Sequence, residues 1–187
     1  GNPFAGCTGV KSMELDPNNV DFVLVGGVLY DAAMYTLIYY PACLNAETFQ
    51  IPTTVFEIAT GAFAGAQLKS IYIPEQIKQI PADAFRNSAM ESVILHKSIT
   101  SIGDRVFAGM ANLKKVFIAG NVGTISATAF ADLAVDVNIY FTGHTSAEIM
   151  ATVGIDWLIN ASGKAHFYFK NNIPADVELP EEIKSAT

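Results

Sequence analysis

Three histidines, two cysteines and one dense run of carboxylates and amides are the residues here that could do acid–base, nucleophilic or metal chemistry. Such chemistry needs them to converge on one point. His96, His144 and His166 lie far apart in unlike contexts. His96 stands where a turn proline is expected and reads as a solvated loop residue. His144 lies beside a helix start and suits a polar turn, and His166 borders a strand and should face solvent. Cys7 and Cys43 are too few for a disulfide framework and lack metal-ligand spacing. Cys7 reads as a small buried thiol, and whether the two pair stays open. Asp16, Asn18, Asn19 and Asp21 gather oxygens at a density calcium could use, but the EF-hand glycine and distal glutamate are missing. With Pro17 they read as a turn. Glu181 and Glu182 are adjacent and read as a solvated turn. There is no G-x-S-x-G, and Gly163-Lys164 lacks the rest of a phosphate loop. No catalytic residue, cofactor or metal ligand is assigned, and no enzyme is expected.

The candidate functional residues are instead Tyr72, Ile94 and Phe117, with Ser70, Ser92 and Lys115 beside them. Rigid aromatics next to polar groups suit contact with proteins or sugars. The same residue types also stabilise neighbouring strands without any ligand. Their value depends on what lines them up.

A repeat does so. IPTTVFEIATGAF, IPEQIKQIPADAF, LHKSITSIGDRVF and IAGNVGTISATAF are one pattern written four times. Phe63, Phe85, Phe107 and Phe130 are spaced 22, 22 and 23 residues apart. Ile58, Ile80, Ile102 and Ile125 keep the same spacing, as do Val55, Ile77, Ile99 and Val122. A period near 22 is that of a leucine-rich repeat, one strand and one return turn per unit. The strand is the triplet Leu68, Ile71, Ile73, then Met90, Val93, Leu95, then Leu113, Val116, Ile118. Alternation turns Ile71 and Ile73 inward and Tyr72 outward. Stacked in parallel, the strands should present one outward row of Glu14, Tyr72, Ile94, Phe117 and Tyr140, and a second of Ser12, Ser70, Ser92 and Lys115. At roughly 4.8 Å between strands, Tyr72, Ile94 and Phe117 form an exposed apolar ladder about 10 Å long.

Other segments interrupt the rhythm. Phe4 opens an earlier copy, with Val10, Met13 and Leu15 as its triplet. Residues 16–50 read as an overlong repeat in which Gly26-Gly27 closes a β-hairpin between FVLV and GVLY. Residues 51–141 hold the regular repeats. From Thr145-Ser146-Ala147-Glu148, a helix N-terminal signal, one helix should run to about Asn160, followed by a strand at HFYFK. VELPEEIK at 177–184 matches IYIPEQIK at 71–78, so residues 142–187 read as a helical insertion or cap and a further half-repeat. Trp157 belongs to the helix and should pack in the core.

About half of the 187 residues are apolar and the net charge is −7. An acidic chain with 11 Lys plus Arg is a poor partner for phosphate backbones. No apolar stretch is long enough to span a bilayer and no signal peptide is visible. Gly1 opens inside a repeat copy, so the native N-terminus is expected upstream.

The IP-x-x-V/I-x-x-I-x-x-x-A/V-F units, NPFAGC and DPNN…GGVLYD…TLIYYP resemble the BspA-type leucine-rich-repeat proteins of bacterial surfaces, over roughly residues 1–141 and more weakly 173–184. His96 and Ala119 replace the proline of the IP turn. Pro81 and Ser126 stand where the family often has glycine, as Gly103 does. The resemblance implies an extracellular or cell-surface protein, with adhesion to host proteins, other cells or glycans. The expectation is one leucine-rich-repeat domain over 1–187: a right-handed α/β-type solenoid with a short parallel sheet on its concave face, binding through that face. The alternative is a structural spacer or assembly domain of a larger surface protein.

Overall fold

Isoleucine and valine at every second position, with a turn every eleven or so residues, leave the backbone one way to pair: each unit hydrogen-bonds to the units before and after it. The computed structural model, which describes residues 9–184, shows this arrangement. Phe4, Cys7 and the NPFAGC segment lie outside the described residues. Cys43 is exposed.

The first strands are β1 (Phe22–Val25), β2 (Val28–Asp31) and β3 (Thr36–Tyr39). β1 and β2 form the expected antiparallel hairpin. Gly26 and Gly27 close it with φ of 59° and 81°, the left-handed pair a two-residue hairpin turn needs. Asp16 caps the preceding turn by accepting from the Asn18 backbone at 2.8 Å, and Asn19 accepts from Phe22. The acidic run is a turn built of its own side chains.

Beyond the hairpin, β3 pairs parallel to β4 (Glu57–Ile58). The coil then alternates long and short strands: β5 (Ser70–Ile73), β6 (Gln79–Ile80), β7 (Ser92–Leu95), β8 (Ser101–Ile102), β9 (Lys115–Ile118) and β10 (Thr124–Ile125). β11 (Val137–Phe141) and β12 (Ala165–Phe169) follow, with α1 (Ser146–Val153) and α2 (Asp156–Ile159) between them; α3 (Glu181–Lys184) closes the described chain. The long strands make a parallel five-stranded sheet in the order β12-β11-β9-β7-β5, and β10, β8 and β6 make a three-stranded one. The result is the expected parallel leucine-rich-repeat solenoid.

The phenylalanine turns form a third stack. Phe63, Phe85, Phe107 and Phe130 are wholly buried. Their rings follow one another at 6.0, 6.0 and 5.6 Å. The first three rings each sit between two left-handed residues, Gly61 and Gly65, Asp83 and Asn87, Arg105 and Gly109, while Phe130 has one, Asp132, on its C-terminal side. Gly, Asp and Asn tolerate that conformation best. Arg105 is the exception, and its guanidinium reaches Asp83 of the preceding turn at 3.2 Å. Backbone bonds join the turns, from Phe63 N to Ala84 O and from Phe85 N to Val106 O. Gly120 lies so close to the preceding coil that a Cβ would meet the Ile99 carbonyl oxygen at 2.6 Å.

Four elements differ from expectation. Residues 10–15 are not a strand, and Ser12 and Glu14 are exposed outside the sheet. The place next to β5 is taken by residues 47–51, tied by Lys69 N to Glu47 O at 2.8 Å. The expected single helix is two, α1 and α2, because the chain turns left-handed at Gly154 (φ 83°). Thr145 and Glu148 form the full capping box at the start of α1. Residues 177–184 match β5 in sequence but form no further strand. They cross the outward face of the five-stranded sheet, where Val177, Leu179 and Ile183 pack on its apolar row.

Candidate binding face

Alternation along β5, β7, β9, β11 and β12 sends one set of side chains into the core and the other outward. In-register pairing then fixes the outward rows. Tyr72, Ile94, Phe117, Tyr140 and Tyr168 are partners along one row. Ser70, Ser92, Lys115, Asn138 and His166 are partners along the other. The structure thus brings all six candidate residues onto one face in the predicted register. The Phe117, Tyr140 and Tyr168 rings stack at 5.1 Å each, and the Lys115 ammonium lies 5.9 Å above Phe117.

The expected exposure is wrong. Phe117 is 1% exposed, Tyr140 6% and Ile94 9%. They form a cluster separate from the main core, completed by Ile183 and by the partly buried Tyr72, Tyr168, Ile173, Val177 and Leu179. The chain covers its own ladder with residues 173–184. Tyr72 is half-buried and Lys115 exposed. Burial, and then the carboxylate of Glu182, push the Tyr72 phenol above its ordinary value. Burial does the same at Tyr140, helped by Tyr168.

Two grooves flank the covering segment. One, of about 330 Å³, lies among Phe49, Gln50, Tyr72, Gln76 and Glu182. The other, of about 240 Å³, is lined by Ser92, Lys115, Phe117 and residues 178–181. Beside them runs a charge row in which Lys69 pairs with Glu47, and Lys114 with Glu91 at 2.7 Å. Its exposed pairs add little stability.

Sequence reasoning missed Tyr168, Gln50 and the covering segment. HFYF repeats NIYF of β11, and ETFQIP repeats KSIYIP, so the first two were available as motifs. The third was visible only as a repeat fragment, whose path depends on tertiary packing.

His96 is the other correction. It is 9% exposed, not solvated. Its Nδ1 accepts from the Ser98 backbone at 3.1 Å while the Ser98 hydroxyl donates to Ile77 O at 2.9 Å. Its ring meets Tyr72 edge-on at 6.3 Å. Burial holds its pKa below the ordinary 6.5. The unfolded chain therefore takes up this proton first as pH falls, and stability drops from about 6.5 down to the depressed folded value, with no effect above. Denaturation midpoints between about pH 7.5 and pH 5 should fall less in His96→Gln than in the wild type; equal slopes would refute the assignment. His166 is half-exposed and bonds Asp136 at 2.9 Å. His144 lies near Glu148 at 3.7 Å. Among the described residues no three His, Cys, Asp or Glu side chains gather as a metal site, and no helix is long and apolar enough to cross a membrane.

This geometry, long and short parallel strands alternating around a row of phenylalanines, defines a leucine-rich-repeat protein. The chain belongs to the BspA-type family: the model of the BspA type leucine rich repeat region (6 copies) matches residues 37–149. No curated protein matches the chain. Among solved structures, it resembles a leucine rich cell surface protein from Faecalibacterium prausnitzii (24% identity, TM-score 0.65, 94% of this chain and 48% of that one). It also resembles a leucine-rich repeat protein from Eubacterium ventriosum (24%, TM-score 0.61, 73% and 38%). A third match is the pneumococcal vaccine antigen PcpA (22%, TM-score 0.54, 85% and 50%). These likenesses show the fold. The chain spans half or less of each neighbour's length.

Proposed function

We propose that this chain is a non-catalytic recognition module of a bacterial surface protein, binding a protein on a host or neighbouring cell through its five-stranded face. The observation that carries the reading is the in-register face itself: residues 173–184 cover Ile94, Phe117 and Tyr140, while the half-buried Tyr72, Ser70 and Ser92 and the exposed Lys115 border that cover. A row of apolar and aromatic side chains beside polar ones, held rigid by a hydrogen-bonded sheet, loses little entropy on binding. Rigid coils of this kind are used as extended binding surfaces. The descriptions of two neighbours, a vaccine antigen and a cell surface protein, support a location outside the cell.

The test is a binding screen of the chain against extracellular-matrix proteins, with a glycan array as the second arm. Tyr72→Ala combined with Lys115→Glu, two substitutions that leave the buried ladder residues in place, should weaken a saturable hit by about tenfold or more. Unchanged affinity in the double variant would remove the face from the interaction. Empty panels with working controls would count against recognition itself.

A further inference from the structure

The five-stranded face already has an occupant. Residues 173–184 run across it from β12 towards β5: Asp176 lies by Tyr140, residues 178–181 by Phe117 and Lys115, and Glu182 by Tyr72. Local backbone hydrogen bonds shape this segment, from Val177 to Pro174 and from both Ile183 and Lys184 to Pro180. Its grip on the sheet comes from Ile173, Val177, Leu179 and Ile183, which pack on a cluster that the main core does not share. The strands beneath hydrogen-bond to one another. The strand pairing of the sheet thus does not run through the segment.

We infer that the five-stranded face is a peptide site closed in cis by residues 173–184, and that its partner is an extended acidic segment with apolar residues at alternate positions between prolines. This deepens the recognition reading and rests on it. The cis segment is the template: Pro174, Val177, Leu179 and Pro180 supply the stiff apolar pattern, and Glu178 and Glu181 border the same groove as the exposed Lys115. The two flanking grooves give a competitor places to begin. A tethered segment competes at an effective concentration on the order of millimolar, so the closed form should hold off weak ligands and yield to tight ones.

The experiment uses the whole chain, wild type and with Val177→Asp plus Leu179→Asp, and a labelled synthetic peptide of residues 173–184. Hydrogen exchange should show amides 173–184 deprotected in the variant while β5, β7, β9 and β11 keep their protection. The peptide should then bind the opened chain at least about tenfold tighter than the wild type. A peptide carrying the same two aspartates should not bind, and Lys115→Glu should weaken the opened chain. If the double variant loses its fold by circular dichroism, Leu179→Ser alone reads the same comparison.

Equal peptide binding to both chains, binding to neither, or amides 173–184 still protected in the variant would overturn the proposal. A screened partner that binds wild type and opened chain equally would overturn cis closure and leave recognition standing. Peptide binding by the opened chain alone, with every partner panel empty for both, would support closure and sink recognition.

Discussion

Phe85→Ala should lower the stability of the chain by about 3–5 kcal/mol, read from denaturant unfolding. The ring is wholly buried and lies 6.0 Å from both Phe63 and Phe107. Its loss leaves a cavity between two rings whose own positions are fixed. The turn backbone around it bonds to both neighbouring turns, Phe63 N to Ala84 O and Phe85 N to Val106 O, so collapse into the cavity would break those bonds. That places the cost near the upper end. A loss below about 1 kcal/mol would mean that the turns can close on the gap and that the phenylalanine row is not the spine of the coil.

Trp157→Ala should cost a similar about 3–5 kcal/mol, but in a different place. Trp157 packs on Phe130 at 5.9 Å, Phe141 at 5.5 Å and Phe167 at 5.1 Å. Its indole N–H donates to the Gly154 carbonyl at 3.0 Å. It joins α2 to the last phenylalanine of the row and to the final two strands. In a coil, each unit touches only its neighbours, so damage at one end is felt locally. Hydrogen exchange should show α1, α2 and β12 losing protection while β5 and β7 keep theirs. Uniform loss across β5 to β12 would instead make the whole coil one cooperative unit, with no separable end.

How far these elements could be read from the chain alone depended on whether their partners were local. The regular units were readable because three apolar positions recur in one register, and register determines which residues stack. The hairpin was readable because Gly26-Gly27 dictates its turn. Ile94 and Phe117 were correctly placed on the outward row by alternation, yet alternation says nothing of what lies above them. Val177 and Leu179 carry the same pattern as Ile71 and Ile73 and took another path, because a copy with an apolar face can satisfy it against a strand edge or against a sheet surface. His96 failed for a related reason: replacing a proline marks a turn but does not say whether the turn is covered. The helix broke at Gly154, a residue whose left-handed φ the sequence permits but does not require.

Among the described residues the phenylalanine row is flanked by unlike rings, Tyr40 against Phe63 at 5.7 Å and Trp157 against Phe130 at 5.9 Å. Neither belongs to a regular copy. Between these two flanking elements, the row can be lengthened in register by inserting whole copies. Each copy shifts the span of the outward row by one strand spacing, roughly 4.8 Å. Duplication of a single 22-residue unit would thus resize the face in fixed steps while leaving Tyr40, Trp157 and the residues at every other rung untouched.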